Sequence, residues 1–375
     1  MTSSTRLTAA RSCVVGVGTT DWGSFPDTDA TGLGIRAFKA ALEDAGLGVG
    51  DIDGLITSRI PSYVTLGDMV GMNPDFTVAL PAEGRQSGVA VQVADSLVRS
   101  GHCRTVALLY GNNGRSQRVY YGGEGRGAFD PWGFTSMGAL HAMLLRQHMD
   151  RYGTTQDQLA EVPIVFRQHA ALNPQAMMQK PISREDYHES RYIVEPLHLF
   201  DYCLINDGAV CLIVTSAERA MDLRQPPVTI LGTGQSSQLT GMPLYPDDFF
   251  YEACQRSARQ VRESSGVGIE DVDALMIYDN FSPTVLFTLE GFGFCAPGES
   301  GDWIQGGTLA LGGRYPTNTS GGHLSESYMQ GWALNVEAVR QIRGTAGERQ
   351  VADCRIVQFM AATPITSAIV YGGAM

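Results

Sequence analysis

Positive charge is scarce in this chain: 27 Lys and Arg stand against 39 Asp and Glu, giving a formal net charge of -12 and a pI near 5.0. Partners held through a phosphate backbone, DNA above all, are disfavoured, because their binders carry clustered basic excess. Small anions met by local arginines remain possible. Long apolar runs are also missing; none approaches the roughly 18 residues that cross a bilayer. The opening MTSSTRLTAA lacks the apolar core of a signal peptide, so a cytoplasmic protein is expected. No CxxC pair occurs among the 7 cysteines (Cys13, Cys103, Cys203, Cys211, Cys254, Cys295, Cys354), which argues against a zinc site or a disulfide framework. Free thiols are expected.

What is present is enough apolar residue, 43% over 375 positions, to bury a sizeable core in one large or two ordinary domains. The chain also carries a repeat. Residues 37–57, AFKAALEDAGLGVGDIDGLIT, predict a helix ending at Gly46, a short turn and a strand, and residues 257–277, SARQVRESSGVGIEDVDALMI, predict the same. One offset of about 220 positions pairs Glu43 with Glu263, Gly46 with Gly266, Gly48 with Gly268, Asp51 with Asp271, Asp53 with Asp273 and Leu55 with Leu275. A fainter echo aligns Gly101 with Gly344, Gly88 with Gly331 and Arg85 with Tyr328. The fold class is therefore α/β, in two halves, 1–225 and 226–375. Two helix entries facing a common axis would offer unpaired N–H groups and positive dipole ends to an anion or enolate.

A long excursion, roughly 112–200, separates the repeated parts. Its first stretch, NNGRSQRVYYGGEGRGAFDPWGF, predicts a loop, whose Tyr120, Tyr121, Phe129, Trp132 and Phe134 could line an apolar channel or form a dimer contact. Helices are predicted at about 136–152 and 155–172, then a strand through AVCLIVT after Asn206-Asp207-Gly208. Gly16-Val17-Gly18 lacks the third glycine of a dinucleotide loop and predicts a turn ending a strand. His141 and His148 lie seven apart, with no further ligand to complete a metal set.

Four stretches, RQSG at 85–88, INDGA at 205–209, YDNFS at 278–282 and NTSGGHLSESYMQG at 318–331, resemble the thiolase superfamily, especially the sterol-carrier-protein type and its lipid-transfer-protein relatives. The resemblance implies two βαβαβαββ-type halves forming a five-layer αβαβα sandwich with an inserted loop region. It implies a reactive Cys at the first helix entry, where Arg85 stands, and a His at the second, where Tyr328 stands. Tyr278 takes the place of the His or Asn that helps to hold the thioester oxygen, and the late Cys is missing from MAATPITSA, with Cys354 the nearest thiol. A ping-pong acyl transfer needs a thiolate, which these substitutions remove.

Paired tyrosines in these motifs resemble the lipid-transfer-protein aldolases that shorten steroid side chains. That resemblance implies retro-aldol cleavage of a bulky β-hydroxyacyl-CoA, such as a 17-hydroxy-pregnene-carboxyl-CoA, to a 17-ketosteroid and propionyl-CoA. Tyr278 and Tyr328 are the expected catalytic pair. His323, Asn280, Arg85 and Gly322 are candidates for substrate or oxyanion binding, with backbone hydrogen bonding the alternative for His323 and helix capping the alternative for Asp279 and Asn280. CoA enters as part of the substrate, and neither a covalent cofactor nor a metal is expected in this chain. A homodimer is expected, joined by a small partner with an OB fold and a zinc ribbon, often a domain of a hydratase. A non-catalytic lipid or acyl-CoA carrier and an atypical thiolase are the competing readings.

Overall fold

The computed structural model describes residues 11–81, 86–118, 131, 136–239 and 248–373. Arg85 and the five aromatics of the excursion's first stretch lie outside them.

The first half runs β1 (Ser12–Thr19), α1 (Ala30–Ala45), β2 (Gly54–Ser58), α2 (Tyr63–Val70), β3 (Phe76–Leu80), α3 (Gln86–Arg99) and β4 (Thr105–Asn112). The excursion contributes α4 (Met137–Tyr152), α5 (Gln156–Ala171), α6 (Arg184–Glu189) and a small hairpin, β5 (Tyr192–Val194) and β6 (Leu197–His198). The chain returns through β7 (Gly208–Ser216) and α7 (Ala217–Ala220). The second half follows with β8 (Val228–Ser237), α8 (Tyr251–Ser265), β9 (Ala274–Ile277), α9 (Ser282–Gly291) and α10 (Ser300–Trp303). It ends with α11 (Gly322–Ser325), α12 (Trp332–Arg343), β10 (Ile356–Ala361) and β11 (Ile365–Gly372).

The sheet order is β3-β2-β4-β7-β1-β8-β11-β10-β9. Read outward from the β1–β8 junction, each side repeats the other: β7 and β11 pair antiparallel with their inner neighbours, β4 and β10 antiparallel with those, and β2 and β9 parallel outside them. The two sides join through only two residue pairs, Cys13 with Thr229 and Val14 with Val228.

Layering follows from which helix touches which strand. Helix α1 covers the outer face of β1, β4 and β7, and α8 that of β8 and β11. Helices α3 and α12 touch strands of both sides, making the middle layer of an αβαβα stack whose core joins Ala90, Val91 and Ala94 to Trp332, Val336 and Val339. Helix α12 is buried nearly all round in this layer, and its buried Asn335, Glu337 and Gln341 are all hydrogen-bonded.

The repeated residues do repeated work. Gly46 and Gly266 end α1 and α8 in the left-handed conformation, φ 72° and 73°, which a Cβ would disfavour. Asp51 and Asp271 each accept the backbone N–H of Gly48 or Gly268. Asp53 accepts from the N–H groups of Arg104 and Thr105, and Asp273 from those of Arg355 and Ile356, fastening the start of the neighbouring strand. One expectation is corrected: Gly16 and Gly18 lie within β1, not in a turn. A Cβ there would meet the Ala41 and Ala37 carbonyl oxygens at 2.4 and 2.2 Å, so both glycines let α1 press its backbone against the strand.

Candidate active site

Strand β9 runs parallel to β10, and at its carboxyl end Tyr278 extends the ladder by donating its N–H to Met360 O at 2.9 Å. Beside it, Asn318 adopts φ 48° and grips β9 from the outside. Its side chain accepts from Ile277 N at 2.7 Å and donates to Ile277 O at 2.8 Å. The segment 318–331 then crosses the end of β9 and delivers Tyr328 to the entry of α12. Asn206, in the INDGA stretch, accepts the Tyr328 N–H at 2.7 Å, and its own carbonyl is held by Asn112 Nδ2 at 2.7 Å.

These anchors bring the two phenols together. Tyr278 Oη and Tyr328 Oη stand 2.9 Å apart, both side chains buried. His323 lies edge-on to both rings, with centroids 4.9 Å from Tyr278 and 5.2 Å from Tyr328. Its Nε2 accepts the Gly331 N–H at 2.8 Å, so the ring proton sits on Nδ1, 2.9 Å from Asp279 Oδ1 but not aligned as a hydrogen bond. Imidazole Nε2 is thus committed to backbone at the entry of α12.

Asp279 corrects a second expectation. Helix α9, which follows it, has Phe281 at its N-cap and no side-chain cap. The Asp279 carboxylate instead accepts the N–H groups of His323, at 2.9 Å, and Leu324, at 3.2 Å, on the other tyrosine segment. Gly322 fits beneath it, since a Cβ there would meet Asp279 Oδ2 at 2.3 Å, and φ is 61°. Asn280 bonds locally to Thr284 and reaches His141 Nε2 at 3.4 Å, while His141 Nδ1 donates to Met137 O. His148, the other helix histidine, belongs to a separate buried network with Glu290 and Thr154.

A cleft of about 500 Å³ lies behind this turn, lined among others by Arg115, Arg167, Met178, Leu199 and Leu324. Its inner wall is the backbone that holds the site: Cys203 N donates to Asn280 O and Leu204 N to His323 O. Arg167 is buried, and burial lowers its pKa. It donates to Ser325 Oγ and packs over the Phe200 ring. Asp207 accepts the Arg115 backbone N–H at 2.9 Å, and among the described residues the two guanidinium groups donate to Ile205 O, Ser325 Oγ and Lys180 O and to no carboxylate.

A family profile described as thiolase C-terminal domain-like matches residues 235–368. A steroid side-chain-cleaving aldolase of Thermomonospora curvata is 35% identical over 96% of this chain and 97% of its own. The chain belongs to the thiolase superfamily. Within it, a 17-hydroxy-3-oxo-4-pregnene-20-carboxyl-CoA lyase of Mycobacterium tuberculosis is 34% identical over 98% of this chain and all of its own. The solved Ltp2-ChsH2(DUF35) aldolase superposes with a TM-score of 0.88 at 34% identity, covering 97% of this chain and 98% of that one.

Against the thiolase pattern, the described thiols are poor nucleophiles. Cys203 lines the cleft, where burial first and Asp279 second push its thiol up. Burial raises the Cys354 thiol to about 12. Because β10 runs parallel to β9 with Val357 opposite Ala274, Cys354 sits at the far end of the sheet, roughly 20 Å from Tyr278 at ~3.3 Å per residue.

A buried carboxyl within the 318–331 segment sets a pH dependence. Burial first, and Glu337 second, raise Glu326 from 4.5 to about 7. Folding therefore favours its protonated form. Its contribution to stability is complete below about pH 4.5 and lost as pH climbs through 7. Glu326→Gln is expected to flatten that part of the stability profile, read by urea melts between pH 4.5 and 8; an unchanged slope would refute the assignment.

Proposed function

We propose that this chain is an acyl-CoA aldolase that cleaves the Cα–Cβ bond of a bulky β-hydroxyacyl-CoA without a covalent intermediate. The observation that carries the reading is the 2.9 Å contact between Tyr278 Oη and Tyr328 Oη, a phenol pair standing where the thiolase pattern has its second-helix His and the His or Asn that holds the thioester oxygen. Similarity over nearly the whole chain to two steroid side-chain lyases supports a steroid acyl group, a 17-hydroxy-pregnene-carboxyl-CoA giving a 17-ketosteroid and propionyl-CoA.

The reaction balances with protons alone. A base removes the β-hydroxyl proton, the Cα–Cβ electron pair passes into a thioester enolate as the ketone forms, and an acid protonates Cα. A free phenolate at pH 7 lies about 3 units below tyrosine's ordinary ionisation, costing ~4 kcal/mol. Two phenols in contact lower that demand, because one donates to the other as it gives up its proton. We assign Tyr328 as the base on the β-hydroxyl and Tyr278 as the group that polarises the thioester or protonates the enolate. Gly322, Asn280 and Arg85 remain our candidates for substrate contact, the two halves 1–225 and 226–375 each lending a wall.

The Arg115 and Arg167 guanidinium groups have no carboxylate partner among the described residues, so the cleft they line suits the phosphates of the CoA moiety. Arg115 is exposed, so its loss leaves packing intact. Arg115→Met is expected to raise KM for the acyl-CoA about tenfold with kcat little changed; an unaltered KM would remove Arg115 from the binding site. The decisive assay mixes purified protein with the thioester and measures free ketone and the released short acyl-CoA. A lipid carrier yields neither.

The proposed assembly is a cytoplasmic homodimer that also binds a DUF35-type partner with an OB fold and zinc ribbon, in line with the partner named in the solved relative. Strand β3 is the outermost strand of the first half, and Tyr63, Val64 and Met69 of the preceding α2 are exposed, a surface suited to pairing with a second copy. Among the described residues no helix is long and apolar enough to cross a membrane, and no group of three potential ligands could hold a metal. CoA comes with the substrate.

A further inference from the structure

We propose that Asp279 and His323 act as a positioning pair that fixes the distance between the two tyrosine hydroxyls; this rests on the reading of Tyr278 and Tyr328 as the reacting groups. The two tyrosines arrive on different segments, 50 residues apart in the chain. A hydrogen bond at 2.9 Å between them needs something that spans both segments. Asp279 follows Tyr278 directly, yet its carboxylate holds the backbone of His323 and Leu324. His323, on the Tyr328 segment, reaches forward to Gly331 N, and its ring packs edge-on against both tyrosine rings.

All of these groups are shut away from water. Asp279 and His323 are both fully buried, and the space between them is closed: a methyl on Gly322 would overlap the carboxylate. A buried carboxylate that accepts two backbone N–H groups, with the imidazole Nδ1 2.9 Å away, is held stiffly in place. Neither side chain has a role as acid or base in this arrangement. Imidazole Nε2 is spent on Gly331, and Asp279 faces the backbone of the neighbouring segment. Their work is to hold a proton path whose efficiency depends on fractions of an ångström; a displacement of about 1 Å in a catalytic geometry costs on the order of 100-fold in rate.

The test uses the full chain, with its partner protein if activity requires it, and reads kcat and KM separately. Asp279→Asn and His323→Leu are each expected to lower kcat about 100-fold while KM changes less than about threefold. His323→Gln restores an acceptor at the Nε2 position for Gly331 N–H, and is expected to recover most of kcat; a merely space-filling histidine would be rescued by Leu as well as by Gln. In a Tyr328→Phe background, Asp279→Asn is expected to add little further loss, since there is no hydroxyl pair left to position. If Asp279→Asn fails to fold, the Gln and Leu variants of His323 carry the test alone. Normal kcat in folded His323→Leu, with Tyr328→Phe inactive, would overturn the positioning role and leave the tyrosine assignment standing. Full activity in Tyr328→Phe and Tyr278→Phe would instead overturn that assignment.

Discussion

Tyr328→Phe is expected to lower turnover of a β-hydroxyacyl-CoA by about 10³-fold, within the 10²–10⁴ that a positioned acid or base supplies. That loss corresponds to ~4 kcal/mol of barrier, close to the cost of presenting a phenolate at neutral pH. Removing one oxygen leaves the ring, and with it the edge-on packing against His323 and the backbone bond from Tyr328 N to Asn206, so the fold should be unaffected. Tyr278→Phe is expected to fall comparably, because each hydroxyl is the other's hydrogen-bond partner. The double variant should be little worse than either single one, as for residues that act as a unit. KM should move little in all three. Two folded single variants that both turn over at the parent rate would end the aldolase mechanism proposed for the pair.

Arg349→Met should be the most damaging substitution for stability, by about 3–5 kcal/mol, the range for stranding one member of a buried ion pair. Arg349 approaches Glu337 through Nε and Nη2, each at 3.0 Å, and both side chains are buried. Glu337 also accepts from Thr319 Oγ1 and Gln341 Nε2, so the carboxylate anchors the 318–331 segment to α12. Methionine fills much of the space but leaves that carboxylate without its cation. Denaturant melts measure the loss, and a change below about 1 kcal/mol would show that the pair is dispensable. Since Glu337 is itself one cause of the raised Glu326 pKa, the same variant should steepen the decline of stability with rising pH.

Much of the fold was legible in the sequence because the repeat is written in residues with local jobs. Helix-ending glycines and strand-fastening aspartates recur at a fixed offset since the same turn needs the same atoms twice. The helices of the excursion were legible within a residue or two from their periodicity. Tyr278 and Tyr328 could be singled out by motif, but their contact could not, since it depends on the two segments meeting across the end of β9. Asp279 reads as a local cap because aspartates before helices usually are; its true partners lie 44 and 45 positions on. Asn206 sits in a visible motif, yet its hold on Tyr328 spans 122 positions and has no local signature. The glycines of β1 were misread for a related reason, as only the packed helix explains them.

Both phenols, together with Asp279, His323 and Asn318, belong to the second half, while the first half and the excursion supply Asn206 and the cleft lining. The halves meet edge to edge through only two residue pairs between β1 and β8. With so short a seam in the sheet, the tyrosine pair is tied to the first half by the shared α3–α12 layer and by the Asn206 side chain on the Tyr328 N–H. Substrate range and proton transfer are in this way mechanically coupled: a first-half substitution that shifts Asn206 or the Cys203–Leu204 backbone also shifts the segments that carry Tyr278 and Tyr328.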